Sequence, residues 1–443
     1  MRKIIALLLA VVMCLSLAAC GSSDNQSADT SSTANSGDST ANGSDSTGDA
    51  ASDAQEKVSL TLMNIWCGSD SKAEEWARII SDFNKEYAGV YEIVVEDQAD
   101  YDAYEDKMKT LISTGNTPDL FTFKGQSLAD FSASGKLMDL TAFVGGEDIA
   151  GRFKDGTFDG VDYNGSYYCI PYETAYIPLM YNQNLLTAAG AEVPTSYDEL
   201  YAAAAKIADT GVYPITQTTG SNAWFSQLWF SYCLASVMGA DIYNYAYDSA
   251  EWIEGAKLYT TLTEYSEPDI VGGTTSDANG NFFNERSAFY CNGTWICGRI
   301  ASEGVEGLAD SLAVGGTLSY NGKNGGGMMN INQGYIGAAA SDDAAHVAAV
   351  EAFLEFITRS DEVLALSKSS GALFSVSYDE SQLPEGLQTS ILSAGNAASF
   401  TFDHVQNKMT PQVWAAYVEN IDSLILGEMT AEEFCQALAA AAE

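Results

Sequence analysis

The stretch Val58-Ser-Leu-Thr-Leu-Met-Asn-Ile65 is apolar and β-branched, and it predicts a buried β-strand. An amphipathic helix is predicted directly after it, because four apolar residues recur at spacings i, i+3, i+4 and i+7: Trp76, Ile79, Ile80 and Phe83. Two further strands are predicted at residues 91–95 and 120–123, with a second amphipathic helix at residues 104–112 between them. This order of elements is typical of a parallel sheet with right-handed crossovers.

The rest of the chain continues the alternation of strands and helices. The spacings Ser196-x-x-Glu199 and Thr430-x-x-Glu433 are those of capping boxes and predict two helix starts. A strand at residues 336–340 and a core-facing helix at residues 346–358 are predicted between them. We therefore predict an α/β fold throughout, and the length of the chain after residue 57 favours two lobes over one.

The first twenty residues have the pattern of an export signal. Arg2 and Lys3 precede an apolar run that is shorter than the ~20 residues a membrane span needs, and small residues follow it. The end of the run, Leu17-Ala-Ala-Cys20, looks like a bacterial lipobox, so we predict a signal peptide at residues 1–19 and lipidation of Cys20. An ordinary signal peptide with an incidental cysteine, or a retained membrane helix, is the alternative.

Residues 20–56 are predicted to form a tether. From residue 21 this segment has no aromatic residue and no proline, and it consists mostly of small and polar residues. Such a composition cannot bury enough apolar surface to offset the chain entropy, so we expect disorder. As a flexible coil of about 36 residues, the segment would hold a domain on the order of 35 Å from its lipid. The predicted contact with the membrane is through the lipid anchor alone.

The charge of the chain excludes some partners. Lys and Arg total 20 and Asp and Glu total 60, a net charge of −40. Removal of residues 1–19 takes away two basic groups and leaves 18 − 60 = −42. Nucleic acid is not an expected partner, because binding to phosphates needs clustered Lys and Arg. We read the acid excess mainly as an aid to solubility.

The cysteines and histidines do not suggest a metal site. Six cysteines follow Cys20, and we expect buried free thiols: Cys67, Cys169, Cys233, Cys291, Cys297 and Cys435. Export would permit a disulfide, and Cys291 with Cys297 is the candidate pair nearest in sequence. No C-x-x-C pair occurs, and the two histidines stand far from the cysteines. No Ser-His-Asp arrangement, G-x-G-x-x-G or P-loop motif points to a catalytic centre or cofactor.

Several longer motifs follow one another along residues 57–443. They are Gly115-Asn-Thr-Pro-Asp119, then Asn164-Gly-Ser-Tyr-Tyr-Cys-Ile-Pro171-Tyr-Glu173 with Leu179-Met-Tyr-Asn182, then Gly190, Pro194 and Asp198-Glu199-Leu200, and finally Phe283-Asn-Glu-Arg-Ser-Ala-Phe-Tyr-Cys-Asn-Gly-Thr-Trp295. In this order they resemble the extracellular solute-binding proteins of bacterial ABC importers, the family of sugar-binding lipoproteins that includes maltodextrin-binding proteins. Arg286 departs from the pattern, because the family usually has Gly at or beside this position.

The resemblance implies a periplasmic-binding-protein-like fold of type II, with two α/β lobes that close on a ligand by hinge bending. Lobe 1 would comprise residues 57–170 and 334–375, and lobe 2 residues 171–333 and 376–443. The protein would be a monomer that captures a carbohydrate, most simply a neutral oligosaccharide, and delivers it to ABC permease transmembrane subunits outside the cytoplasm. It would catalyse nothing itself. Glycerol phosphates, polyamines and metal ions stay open, because relatives of the family also take up such solutes.

A sugar ring has an apolar face and a rim of hydroxyls, so its site combines aromatic rings with carboxylates or amides. Some candidates follow from position: the ends of the first and third strands, where ligands bind in open α/β sheets, and a polar loop after residue 220. The others follow from the resemblance, which matches them to a hydroxyl-binding carboxylate and to stacking aromatics. The first group is Trp66, Phe123, Gln126 and Trp224, and the second is Glu173, Trp295 and Trp414.

Structural roles are the competing interpretation for these and other residues. Any of the candidate tryptophans could simply pack in the core, as we expect for Trp76 and Trp252. Asp119 is expected to fix a turn. The basic side chains Lys72, Lys124 and Arg299 are expected on solvated faces.

Two other classes of protein stay open. A glycoside hydrolase also uses carboxylates and aromatic platforms, although no distinctive acid pair stands on the strand ends. A surface interaction or sensory module without a small ligand is the second.

Overall fold

The structure is a computed structural model, and it describes residues 57–443, which belong to one compact unit. The predicted signal peptide, the predicted lipidation site at Cys20 and the predicted tether lie outside the described residues.

Eleven strands occur in the described part of the chain. They are β1 Val58–Asn64, β2 Tyr91–Asp97, β3 Leu120–Phe123, β4 Cys169–Ile177, β5 Leu179–Asn182, β6 Tyr213–Ile215, β7 Ser287–Cys291, β8 Leu312–Gly315, β9 Met328–Ala338, β10 Leu373–Phe374 and β11 Thr401–Phe402. The α-helices of the same residues are α1 Ala73–Glu86, α2 Tyr101–Thr114, α3 Leu128–Ala133, α4 Thr141–Val144, α5 Glu147–Ala150, α6 Gln183–Ala188, α7 Tyr197–Ala208, α8 Gly220–Met238, α9 Ala250–Thr263, α10 Thr275–Phe283, α11 Cys297–Glu303, α12 Ala344–Ile357, α13 Ser360–Ser370, α14 Leu387–Asn396, α15 Pro411–Ile425 and α16 Ala431–Ala441.

The larger sheet has the strand order β10-β4-β9-β3-β1-β2, and β11 also pairs with β9. Strand β1 is parallel to β2 and β3, which confirms the predicted strand–helix alternation at the start of the fold. The parallel pairing predicted for these three strands is therefore confirmed, and β9 adds to the sheet antiparallel to both β3 and β4. A sequence pattern around residues 336–340 identifies only the last part of this eleven-residue strand.

The smaller sheet has the order β6-β7-β5-β8. Strand β5 is antiparallel to β7 and β8, and β6 is parallel to β7. The two sheets belong to two hydrophobic cores. The first core draws on residues 60–172 and 335–376, and the second on residues 175–331 and 387–438. We call the parts of the molecule around them lobe 1 and lobe 2. The lobe boundaries predicted from the resemblance stay a prediction.

Strands β4 and β9 connect the lobes. Within β4, Tyr172 packs in the first core and Ala175 in the second. Within β9, Tyr335 packs in the first core and Ile331 in the second. The two strands pair over most of their length. This paired crossing therefore positions everything that lies between the lobes.

Several local predictions are confirmed. Trp76, Ile79, Ile80 and Phe83 are the buried face of α1, and Trp252 is buried in lobe 2. The Thr430 hydroxyl and Glu433 carboxylate form a complete capping box at α16. At α7 the box is partial: the Ser196 hydroxyl accepts from the Glu199 N–H, while the Glu199 carboxylate accepts from Thr195 instead.

All six cysteines of the described residues are buried and free, so Cys291 and Cys297 are not bridged. Among residues 57–443, no helix combines the length and apolar character that a membrane crossing requires.

Candidate functional site

The floor of the candidate site is formed where β1 ends and β4 crosses between the lobes. Trp66 follows the end of β1 by two residues, and the Asn64 side chain holds it by hydrogen bonds to its N–H at 3.0 Å and to its carbonyl at 3.2 Å. The indole stacks on Tyr172 at 5.8 Å and is only 3% exposed. Gly334 of β9 lies against both Trp66 and Glu173, because a Cβ atom there would stand 3.3 Å from each.

Glu173 occupies an irregular position in β4. The register with β9 shifts on both sides of this residue, which is the behaviour of a β-bulge. Bulges turn a side chain out of the regular alternation and are common beside functional sites. The bulge therefore explains how a carboxylate in a crossing strand is brought against Trp66.

A buried ion cluster surrounds the Glu173 carboxylate. Lys72 Nζ lies 3.3 Å from Glu173 Oε1 and 3.1 Å from Asp70 Oδ1, and the Lys72 side chain is 3% exposed. The Tyr101 hydroxyl donates to Asp70 Oδ2 at 2.8 Å. The expectation that Lys72 is solvated is wrong. Lys72 lies in the loop between β1 and α1, where the carboxylates of Asp70 and Glu173 contact its buried ammonium.

Burial and charge act in opposite directions on this cluster. Burial lowers the pKa of Lys72, but the carboxylates of Asp70 and Glu173 outweigh burial, and the pKa lies above its usual value. The pKa of Glu173 is raised by burial, and the Lys72 ammonium only partly offsets this effect. Lys72 therefore stays charged at neutral pH.

Lys124 links this cluster to lobe 2. Its ammonium lies 4.0 Å from the centre of the Tyr101 ring and 5.8 Å from that of Trp224, within the reach of a cation–π interaction. The Trp224 ring lies 6.1 Å from Trp295 and meets the edge of His404 at 5.6 Å. These contacts connect both lobes through aromatic rings.

Two hydrogen bonds also join the lobes. The Gln406 amide donates to Gln126 Oε1 at 2.9 Å, and the Ser71 hydroxyl donates to the carbonyl of Trp295 at 3.1 Å. Behind these contacts, a cavity of about 20 Å³ is lined by Trp66, Tyr101, Phe123, Lys124 and Glu173, among others. A small-molecule site needs on the order of 300 Å³ or more. With the lobes in this arrangement, this cavity is too small to hold a small-molecule ligand.

Trp224 is presented by an unusual turn. It lies in the first turns of α8, so the prediction of a loop is wrong at this residue. The three preceding residues, Ser221, Asn222 and Ala223, have φ angles of 53°, 55° and 57°. Residues with a Cβ atom adopt this left-handed conformation at a cost of roughly 1–2 kcal/mol each. Such strain persists where the surrounding structure holds it, commonly at functional sites.

The Trp295 ring lies over the chain at Gly293. A Cβ atom on Gly293 would come within 2.2 Å of the ring, so only glycine permits this arrangement. This explains the spacing Gly-x-Trp in physical terms. Trp295 itself is half-buried, which leaves part of the ring accessible.

The remaining candidates differ in position. Gln126 is exposed on the short turn that follows β3. Phe123 is buried between Phe131 at 5.3 Å and Tyr335 at 5.4 Å, although it also lines the small cavity. Trp414 is half-buried on α15 and stacks on Tyr417 at 5.1 Å, outside the network of contacts around Trp224.

The structure thus brings together five of the seven candidates in one network: Trp66, Gln126, Glu173, Trp224 and Trp295. Sequence reasoning did not assign the other members of this network to the site: Asp70, Lys72, Tyr101, Lys124, His404 and Gln406. Asp70 and Lys72 could have been found, since they lie in the loop that follows the carboxyl end of the first strand.

Three further side chains have structural positions. The Asp119 carboxylate accepts from the Thr61 N–H at 2.7 Å and contacts His346, which confirms a structural role. Arg299 pairs with Glu303 at 2.7 Å on the surface of α11. Within the residues that the structure describes, no group of three or more His, Cys, Asp or Glu side chains could hold a metal ion.

Comparison with known proteins gives a consistent picture. The sequence profile of a family described as bacterial extracellular solute-binding protein matches residues 78–390. The maltotriose-binding protein of Pyrococcus abyssi is 25% identical over 221 residues, which are 48% of this chain and 45% of that protein. An osmoprotective compounds-binding protein of Synechocystis is 25% identical over 162 residues, 36% of this chain and 37% of that protein. The chain spans about half the length or less of the curated relatives it matches.

Solved structures share the fold over nearly their whole length. A chitin oligosaccharide binding protein superposes with a TM-score of 0.79 at 18% identity and covers 87% of this chain and 98% of that chain. The maltose-bound MalE3 of T. maritima has a TM-score of 0.72 at 20% identity and covers 86% of this chain and 98% of that chain. At sequence identities this low, the structural similarity establishes the fold alone, which is a two-lobed α/β fold.

Proposed function

Because the chain belongs to the bacterial extracellular solute-binding protein family, we propose that it captures a neutral carbohydrate between its two lobes and delivers it to the permease of an ABC importer. The observation that carries this proposal is the inter-lobe network of Trp66, Glu173, Trp224 and Trp295. Members of the family bind solutes and are not enzymes, and this chain would likewise bind its ligand without chemical change.

The chemistry of the network suits a sugar. Trp224 and Trp295 are half-buried rings that can stack on the apolar face of a pyranose, and Gln126 and Glu173 supply planar groups for hydroxyls. The charges nearby are balanced, because Asp70 and Glu173 face Lys72, and Lys124 lies between two aromatic rings. A balanced site favours a neutral ligand over an ion.

The mechanism we propose is capture by closure. The lobes touch through the Gln126–Gln406 and Ser71–Trp295 hydrogen bonds, and separating them would open the space that a ligand requires. A ligand that contacts both lobes then stabilises the closed form, because its binding free energy is larger in that form. Bending at the crossing strands β4 and β9 would provide the motion.

The place of the protein in the cell follows from the same proposal. Cys20 would carry the lipid anchor after removal of residues 1–19, and residues 20–56 would tether the lobes to the outer face of the cell membrane. Lobe 1 would comprise residues 57–170 and 334–375, and lobe 2 the remaining described residues. The protein would act as a monomer that docks on separate transmembrane subunits when closed.

Thermal stabilisation by ligands tests this proposal. The full chain would be heated with maltotriose, xylotriose, raffinose and chitotriose, and with polyamines, amino acids and glycerol phosphate as controls. We expect a saturable rise in Tm with one class of sugar, because a ligand that binds only the folded state stabilises it.

The variant Trp295→Ala should raise the ligand concentration needed for this stabilisation about tenfold or more. The variant loses a stacking contact of about 0.5–1.5 kcal/mol together with buried apolar area, and about 1.4 kcal/mol corresponds to a tenfold change in affinity. Tyr245→Ala is the matched control, because Tyr245 is an exposed aromatic residue of lobe 2 outside the network. Stabilisation by a non-sugar control alone would contradict the substrate class and leave the fold intact.

A further inference from the structure

Three buried polar side chains near Trp224 have side-chain atoms without a hydrogen-bond partner. Gln227 is fully buried, His404 is 3% exposed and Gln406 is 8% exposed. The atoms without a partner are both amide atoms of Gln227, Nδ1 of His404 and Oε1 of Gln406. A buried polar atom without a partner destabilises the fold, so four of them within a small region need an explanation.

These side chains belong to one patch. Trp224, Gln227 and Ser231 are spaced i, i+3 and i+7 along α8 and therefore share a face of the helix. Both ends of this face contact the segment 403–407: Trp224 meets the His404 ring, and the Ser231 hydroxyl accepts from the N–H of Val405 at 3.1 Å. Gln227 lies on the same face of α8, between these two contacts.

The patch borders the inter-lobe contact. The Gln406 amide nitrogen already donates to Gln126 of lobe 1, which leaves its carbonyl oxygen as the unused group. Trp224, which meets His404, also lies under the Lys124 ammonium of lobe 1. When the lobes separate, lobe 1 no longer covers Gln406 and Trp224. Ligand entering from that side reaches the patch first through these two residues.

The chemistry of the patch selects the kind of group it can hold. Burial, assisted by Lys124 and Lys408, lowers the pKa of His404 to about 3, so the imidazole is neutral and offers one acceptor and one donor. Gln406 offers an acceptor and Gln227 offers both kinds of atom. A hydroxyl also donates and accepts, whereas a cationic group would be repelled by the same lysines that disfavour a charged His404.

We propose that His404 and Gln406 bind a hydroxyl group of the carbohydrate whose ring stacks on Trp224, and that Gln227 is a positioning residue behind them. This inference rests on the proposed function and extends it, because it assigns a polar, hydroxyl-reading subsite to lobe 2. The chain gives up stability in the unliganded state to keep these atoms available to the ligand.

Two readouts on one variant test the proposal. His404→Phe removes the unpartnered nitrogen and keeps a ring of similar size, so the Tm of the unliganded full chain should stay equal to that of the wild type or rise. The same variant should bind its sugar about tenfold more weakly, the loss expected for about one hydrogen bond. Affinity would be measured by calorimetric titration with whichever of maltotriose, xylotriose and chitotriose binds the wild type most tightly.

His346→Phe is the matched control. His346 also has a buried Nδ1 without a partner, but it lies beside Asp119 in lobe 1, and its replacement should leave the affinity unchanged. If His404→Phe does not fold by circular dichroism, Gln406→Met is judged by the same affinity criterion.

Unchanged affinity of His404→Phe would overturn the proposal and indicate that buried water satisfies the patch. A lower Tm with unchanged affinity would also overturn it and assign a structural role. If the wild type binds none of the three sugars, the proposed function fails first, and that result is distinguishable because it precedes any comparison of variants.

Discussion

Replacement of Lys72 by Met should be among the most damaging single changes at the site. Lys72 is 3% exposed and its ammonium lies 3.1 Å from Asp70 and 3.3 Å from Glu173. Met has a similar length and packs well in irregular spaces, so the main loss is the charge. Removing one partner from a buried ion pair costs about 3–5 kcal/mol, because it leaves a buried charge without compensation.

The cost should be recovered in part by a second change. In Lys72→Met/Glu173→Gln the more buried carboxylate is neutral, and Asp70 keeps its hydrogen bond from Tyr101. The double variant should therefore be more stable than Lys72→Met by about 2 kcal/mol. Urea unfolding followed by tryptophan fluorescence measures both differences, provided that the slope with urea is unchanged.

The deficit of Lys72→Met should also depend on pH. The pKa of Glu173 is raised by burial in the wild type, and loss of Lys72 raises it further. A carboxyl group with a raised pKa in the folded state contributes stability that is present at low pH and is lost as pH rises through that pKa. The deficit should therefore shrink below neutral pH. A deficit under about 1 kcal/mol, equal at pH 5 and 8 and unaffected by Glu173→Gln, would refute the buried ion cluster.

Three further changes have defined outcomes. Gly293→Ala should lower Tm and weaken sugar binding about tenfold or more, because the added Cβ would displace the Trp295 ring. Equal affinities of the variant and the wild type in calorimetric titration would contradict this. The free energy of unfolding of the wild type should fall by about 2 kcal/mol between pH 7 and pH 5 because of His404. The pKa of His404 is about 3 in the folded protein and about 6.5 in the unfolded chain, so the unfolded state takes up the proton first. Urea unfolding of His404→Phe should lack this loss, and an unchanged pH profile would argue against burial of a neutral ring. Thr430→Ala should lower the free energy of urea unfolding by about 1 kcal/mol, because it removes the hydroxyl that caps α16. Ligand affinity should be unchanged, since this helix start lies outside the network, and an altered affinity would contradict that.

The sequence predicts the fold well where secondary structure depends on local periodicity. The strand at residues 58–64, the buried face of α1 and the end of β1 beside Trp66 all follow from short-range patterns. The same patterns do not reveal that β9 runs antiparallel to β3, because pairing between distant segments leaves no local signal. The antiparallel pairing of β9 is therefore not predictable from these patterns.

The site shows the same division. Trp66 and Glu173 could be proposed from a strand end and a motif, while Lys72 was expected on a solvated face because its carboxylate partner Glu173 lies about a hundred residues away in the sequence. His404 meets Trp224 only because α8 and the segment after β11 pack together. Contacts of this kind depend on the tertiary fold, and no spacing in the sequence encodes them.

Calorimetric titration of the full chain with neutral oligosaccharides tests the central claim most directly. The account predicts saturable binding of one class of sugar with one site per chain, and a loss of at least tenfold in affinity in Trp295→Ala but not in Tyr245→Ala. Tight binding of a polyamine, an amino acid or glycerol phosphate with no binding of any sugar would contradict it.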